Sequence, residues 1–230
     1  MKTAVVIGST GLIGSLVVKK LARDSVFSQI IAIVRNKASL TDIAFSNPKV
    51  RLLQFDFKNW PELEVQVSSN IGTSEASFFC CLGTSITQAG SQEAFKKVDY
   101  GYVVTFAKLA KSCRAQQLLI VSALGANKNS KNFYNKTKGE MEEAVQREFS
   151  GALHFLRPSL LLGERKDFRL IERIAVLLAP IYSPLLMGSL RKYRPVSAEK
   201  VAQAMLLLAS KKISTGMFLE NHDLLKIGGG

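Results

Sequence analysis

Short apolar runs alternate with longer segments whose apolar residues recur at helical spacing. Residues 4–8 read as a buried strand and 12–23 as the helix after it. Residues 29–35, 50–55 and 76–82 give three more strands, with a short helix near 61–67. Residues 92–114 predict one long helix with Phe95, Val98, Tyr102, Phe106, Leu109 and Ala110 on its apolar face. A fifth strand over 117–122, a helix over 133–149 and a sixth strand over 152–156 follow. Beyond Pro158 the regularity fades; helices are expected over 166–178 and 198–210, and a last strand over 217–220. Strand–helix alternation of this kind implies an α/β protein: a doubly wound parallel sheet with helices on both faces. In such sheets ligands sit beyond the carboxyl ends of the strands. The chain is too short for two comfortable domains, so a single domain is expected, with 159–230 an irregular cover over a core of 1–158. Gly228–Gly230 reads as a flexible end.

Composition changes this picture little. The chain is 47% hydrophobic and 21% charged, as globular domains are. Thirty-one Lys and Arg against eighteen Asp and Glu give a net charge of +13, with the excess in residues 1–60 and 126–230. A basic surface attracts polyanions in general. No dense Lys/Arg block with interleaved aromatics occurs, so nucleic acid is not expected as a partner. A phosphorylated cofactor or an anionic membrane fits the charge. Residues 174–190 carry no charge between Arg173 and Arg191, but Pro180 and Pro184 interrupt them. A buried helix and a loop are expected there rather than a transmembrane span; peripheral contact with a membrane stays open. The first residues enter a glycine turn too soon to read as a signal peptide. Cys80, Cys81 and Cys113 are odd in number, two of them adjacent, with no metal-ligand spacing. No disulfide framework and no metal are expected, and the compartment reads as reducing, namely the cytoplasm.

The sharpest signal is Gly8-Ser9-Thr10-Gly11-Leu12-Ile13-Gly14, between the first strand and the first helix. Gly8 suits a tight turn, Gly11 a close approach of backbone to a pyrophosphate, and Gly14 close helix–sheet packing. The free amides and the dipole at the helix start favour an anion there. Gly8, Thr10, Gly11, Leu12, Ile13 and Gly14 are therefore candidate cofactor-binding residues in a Rossmann fold. Arg35 ends the second strand, where NAD-binding chains usually carry Asp or Glu, and Lys37 is close by. A cation favours a ribose 2′-phosphate, so NADP(H) is expected over NAD(H). A solvated basic turn is the plainer alternative. Asp56, followed by Phe57 after the third strand, is placed to accept from an adenine amino group or to cap the helix near Pro61.

Tyr134 and Lys138 stand four residues apart at the start of a predicted helix, so they share a face. Ser122 ends the strand before it. A phenol with a reference pKa of about 10 is a poor acid–base group at neutral pH. A neighbouring ammonium and a positive nicotinamide would favour its phenolate. Tyr134 can then pass a proton to a carbonyl oxygen or take one from an alcohol. Lys138 would supply the field and hold the nicotinamide ribose, and Ser122 would orient the substrate oxygen. Hydride moves directly between cofactor and substrate carbon. The expected substrate is a small carbonyl or alcohol compound.

These motifs resemble the short-chain dehydrogenase/reductase superfamily in its atypical branch, and within it the Tat-interacting-protein-like oxidoreductases. The resemblance is carried by Gly8–Gly14, Cys80-Cys81-Leu82-Gly83-Thr84, Val98-Asp99-Tyr100, Val121-Ser122-Ala123-Leu124-Gly125-Ala126, Asn132-Phe133-Tyr134 through Lys138-Gly139-Glu140, Leu156-Arg157-Pro158 and Leu219-Glu220-Asn221. It implies NADP(H) binding and a Ser122, Tyr134, Lys138 set, and implies no particular substrate. Two departures stand out. The usual Asn-Asn-Ala-Gly stretch is Cys80-Cys81-Leu82-Gly83, and Asp99 lies where an Asn usually supports a proton relay. Leu82, Gly83 and Thr84 are still expected to line the cofactor. Pro158 is expected to shape a turn past the nicotinamide, its carbonyl or the following amides reaching the carboxamide.

Cys81 and His154 read as structural residues, and His222 as exposed. Arg165, Lys166 and Arg169 read as a solvated face of the cover or as contacts to an anionic substrate. A second reading of the whole is an NADP(H)-loaded sensor or scaffold that docks a protein or membrane partner. Retention of Tyr134 argues against it, since a pure sensor has no chemical need for the phenol.

Overall fold

The computed structural model describes residues 2–37, 40, 42–162, 193–211 and 215–227. Seven strands form one parallel sheet: Lys2–Ile7 (β1), Phe27–Val34 (β2), Val50–Gln54 (β3), Glu75–Cys80 (β4), Gln117–Val121 (β5), Ala152–Arg157 (β6) and, last in the chain, Met217–Glu220 (β9). Their order is β3-β2-β1-β4-β5-β6-β9, so the winding reverses between β1 and β4. Leu161–Leu162 (β7) and Val196–Ser197 (β8) form a separate two-stranded ladder. The expected α/β doubly wound fold is present.

Both faces of the sheet are buried, which is why its strands read as continuous apolar runs. In β1, Ala4 and Val6 face one core, and Val5 and Ile7 face the other. The first core is closed by Leu12–Arg23 (α1), Ala198–Ser210 (α7) and Asn221–Lys226 (α8), through residues such as Val17, Leu21, Val201, Met205 and Leu224. The second is closed by Trp60–Ile71 (α2), Val103–Ser112 (α5) and Phe133–Glu148 (α6), through Leu63, Val67, Phe106, Met141 and Val145. Lys2 donates to the Ala209 carbonyl at 3.0 Å, placing a cation at the C-terminal end of α7.

The expected helix over 92–114 is broken. Gln92–Lys96 (α4) runs into a π-helical turn, Lys97–Tyr102, and only then into α5. A π turn adds a residue to the helical repeat and re-aims the residues after it. The buried face runs Phe95, Asp99, Val103, Phe106, while Val98 and Tyr102, expected on it, are only partly buried. A buried aspartate thus takes the place of an apolar residue. A four-residue helix, Ile86–Ala89 (α3), precedes α4 and left no apolar pattern.

Residues 196–210 and 217–226 are regular: α7 packs beside α1, and β9 pairs with β6. The expected helix over 166–178, the uncharged stretch 174–190, the Arg165, Lys166, Arg169 cluster and the glycine end lie outside the described residues. Among the described residues no helix is long and apolar enough to cross a membrane. His154 is buried with neither ring nitrogen bonded among the described residues, and burial lowers its pKa, as befits a neutral structural residue.

Candidate active site

The glycine turn after β1 is fixed by steric contact. Gly8 has φ +71°, and a Cβ there would lie 2.6 Å from the Cys81 carbonyl carbon. A Cβ on Gly14 would lie 2.1 Å from the Gly8 carbonyl oxygen. Both positions exclude any side chain. Gly8 therefore lets the turn abut the chain leaving β4, beyond merely bending it. Ser9 ties the turn to β2 by donating to the Ile33 carbonyl at 2.7 Å. At Gly11 a Cβ would meet only the Gly8 oxygen, at 3.3 Å. Gly11 is also the N-cap of α1 and has no side chain to offer, so the first-turn amides of Leu12, Ile13 and Gly14 carry no side-chain cap. Uncapped amides at a helix start suit an anion. Thr10 is exposed beside them, while Ile13 is buried.

Arg35 and Lys37 are exposed beyond β2. Asp56 is exposed after β3; it accepts from the Lys58 amide at 3.0 Å and meets the Lys58 ammonium at 3.4 Å. It does not cap α2. Asn59 does, accepting from the Glu62 amide at 3.2 Å, because it immediately precedes Trp60 and Pro61. The turn at Asp56 holds Phe57 at φ +66° and stacks its ring on Tyr102 at 4.6 Å between centroids.

Ser122 and Tyr134 line one cleft of about 370 Å³ at the carboxyl edge of the sheet, with Leu124, Pro158, Leu160 and Tyr193. Ser122 follows β5, its amide bonded to the Leu156 carbonyl at 2.7 Å. Its hydroxyl is buried and has no hydrogen-bond partner among the described residues. A buried hydroxyl without a partner, on a residue that lines a cleft, can serve a ligand there. Tyr134 lies in the first turn of α6, whose start Asn132 caps by accepting from the Asn135 amide at 3.0 Å. The Tyr134 ring is half-buried against Phe95.

Lys138, one turn further on, is buried and pairs with Asp99 at 2.7 Å. The other Asp99 oxygen accepts from the Thr84 amide at 2.9 Å, so the carboxylate joins α6 to the loop after β4. Burial works against the lysine charge, but Asp99, with Tyr134 and Cys80, more than offsets it and holds the ammonium above its ordinary range. Leu82, Gly83 and Thr84 sit between this pair and the glycine turn, with Gly83 exposed.

Pro158 is buried, and its carbonyl accepts from the Leu124 amide at 2.8 Å. The Ser159 amide donates to Asn221 at 2.9 Å. These groups order neighbouring loops, and the Pro158 carbonyl keeps a second lone pair beyond its bond to Leu124. Arg157 clasps Glu142 of α6 with two nitrogens and Glu220 of β9 with a third. Three features escaped the sequence reading: Asp99 as a partner of Lys138, the Arg157–Glu142 clasp, and Gly139, where a Cβ would lie 2.2 Å from the Lys128 amide. An inward-facing lysine on α6 requires a counter-charge, and that requirement could have pointed to Asp99. Cys80, Cys81 and Cys113 are free, and burial pushes the Cys80 thiol up to about 12 and that of Cys81 well above its ordinary value. Neither is a thiolate at neutral pH. Among the described residues no group of three His, Cys, Asp or Glu could hold a metal.

Residues 8–162 match the family described as NAD(P)H-binding. Protein FMP52, mitochondrial, of Debaryomyces hansenii is 33% identical over 93% of this chain and 90% of its own length. Protein HTATIP2 of Rattus norvegicus is 30% identical over 76% of this chain and 69% of its own. Among solved structures, MoeE5 in complex with UDP-glucose and NAD superposes with a TM-score of 0.65 at 14% identity, covering 96% of this chain and 76% of that one. This last likeness shows the fold alone. The expected cytoplasmic location is corrected, since relatives similar over most of the chain are named mitochondrial. The sequence reading failed because a reducing environment does not single out one compartment.

Proposed function

The chain belongs to the NAD(P)H-binding family, in the Tat-interacting-protein-like branch of the short-chain dehydrogenases/reductases, and from that premise we propose that it is an NADP(H)-dependent reductase of a small carbonyl compound. The observation that carries this reading is the buried Ser122 hydroxyl, unbonded among the described residues, on a residue that lines the same cleft as Tyr134.

The residues present fit a dinucleotide. The uncapped start of α1 offers amides to a pyrophosphate, and Gly11 leaves room for its approach. Arg35, exposed beyond β2, offers its guanidinium to a 2′-phosphate. Asp56 offers its free capacity to the adenine amino group, Phe57 borders it, and Leu82, Gly83 and Thr84 border the cofactor from β4. When bound, the cofactor supplies the hydride.

The protein's own groups handle the oxygen. Ser122 donates to the substrate carbonyl and orients it. Tyr134 gives its proton to that oxygen as negative charge develops there, or accepts it in the reverse direction. Lys138 fixes the electrostatics of the phenol and offers its ammonium to the nicotinamide ribose. Leu124, Leu160 and Pro158 make this wall of the cleft apolar, which favours an uncharged substrate. Residues 1–158 form the cofactor-binding core and the rest completes the same domain. The names of its relatives support a mitochondrial location.

The test is NADPH oxidation by the purified protein against a panel of aldehydes and ketones. Turnover that falls about 10²–10⁴-fold in Tyr134→Phe, with NADPH affinity kept, supports the reading. Tight NADPH binding with no turnover in the whole panel would replace it with a sensor.

A further inference from the structure

Asp99 is a buried charge with no part in the hydride and proton steps proposed for the cleft. It is 0% exposed. It stands four residues after Phe95 and four before Val103, inside the π turn over Lys97–Tyr102, so helical spacing puts it on the buried face they share. One oxygen lies 2.7 Å from the Lys138 ammonium, and the other accepts from the Thr84 amide at 2.9 Å. Both oxygens are thus committed, one to the element that carries Tyr134 and one to the loop that borders the glycine turn.

We propose that Asp99 is a positioning residue that holds the Lys138 ammonium in place and cancels most of the charge this ammonium would otherwise present to Tyr134. The proposal rests on the reading of Tyr134 as the proton-handling group. An isolated ammonium one helical turn from a phenol strongly favours the phenolate. An ammonium in contact with a carboxylate is a dipole, and its field falls off faster with distance than that of a single charge. Beside the pair, the phenol keeps its proton to higher pH than beside a lone ammonium. That suits a donor to a carbonyl oxygen and favours the reductive direction.

The other groups around the pair do not restore the missing charge. From β4, the Cys80 thiol is held protonated by burial. From β5 comes the Ser122 hydroxyl, and from α4 the ring of Phe95. On α6 itself, Glu142 is tied to Arg157, and Glu140 meets Lys96 and Lys136. Tyr193 lines the cleft and is half exposed.

The experiment is an ultraviolet tyrosinate titration of the full chain. It compares wild type, Asp99→Asn, and the double variant Asp99→Asn with Lys138→Met, with circular dichroism marking the folded range. Subtracting the matching Tyr134→Phe protein isolates the one phenol. The ionisation of Tyr134 is expected to move about one to three pH units lower in Asp99→Asn, where the ammonium loses its counter-charge. In the double variant it should return to the wild-type position, since both charges are gone. An unchanged titration in Asp99→Asn overturns the proposal. If that variant does not fold, the double variant decides, because replacing a buried pair with neutral side chains is commonly tolerated. A double variant that ionises well above wild type shows that Lys138 was acting uncompensated. None of these readouts needs turnover, so a failed carbonyl panel sinks the reductase and leaves the titration result standing.

Discussion

The turn after β1 and the junction of β4, β5 and α6 stand at the carboxyl edge of one sheet, yet they are built from opposite materials. The first works by the absence of side chains. Gly8 and Gly14 are pressed against backbone, and Gly11 leaves helix amides bare. The second works by side chains drawn from distant stretches: Asp99 from a π turn, Lys138 from α6, Ser122 from the end of β5. The first has one rigid answer and little charge. The second balances a buried charge against a buried counter-charge and leaves one hydroxyl unsatisfied among the described residues. Binding a phosphate requires amides that do not move, whereas moving a proton requires groups whose charge can be set.

The most severe way to break the contrast is Lys138→Ala. It strands Asp99 as an uncompensated buried charge and should cost about 3–5 kcal/mol in chemical denaturation. The folded ammonium titrates above its ordinary 10.5, so its contribution is full at neutral pH and is lost as pH rises through the folded value. A smaller effect is expected at the glycine turn. Gly14→Ala should cost about 1–3 kcal/mol of stability and weaken NADPH binding as well. Gly11→Ala should leave the melting temperature unchanged but cost NADPH about tenfold, roughly 1.4 kcal/mol, by isothermal titration. If both substitutions act on stability alike, the turn is a packing device only.

Arg35→Asp sharpens the comparison at the outer end of the turn. It should lower NADPH affinity about tenfold or more while sparing NADH, since a charge-assisted bond to phosphate contributes roughly 1.5–3 kcal/mol. Equal losses for both cofactors would contradict a 2′-phosphate contact. The mildest change is His154→Leu in β6. Burial lowers the folded imidazole below its ordinary 6.5, so the wild type loses stability as pH falls below that value, when only the unfolded chain takes up the proton. The variant should lack this acid-side loss and otherwise differ by about 1 kcal/mol or less in thermal melts.

The same contrast explains what could be read from the chain. A turn defined by glycines at fixed spacing is local, so Gly8, Gly11 and Gly14 were visible together with the strand before them and the helix after them. The apolar runs of β1, β2 and β4 were equally plain, because burial on both faces removes polar positions. The Tyr134–Lys138 pair was visible as one helical turn. The Asp99–Lys138 contact was not, since it joins residues far apart in sequence, and a lone aspartate among apolar positions does not announce its partner. The role of Asp56, adenine contact or cap of α2, stayed open for a related reason. Asp56 and Asn59 both suit a cap, and only the path of the chain after Phe57 decides between them.

The central claim is that the two unlike regions serve one bound dinucleotide. A crystal structure of the protein with NADP⁺ tests it most directly. The account predicts the pyrophosphate on the first-turn amides of α1, the 2′-phosphate against Arg35, and the nicotinamide at the cleft lined by Ser122 and Tyr134. A dinucleotide seated away from the glycine turn, or a nicotinamide pointing out of that cleft, would contradict it.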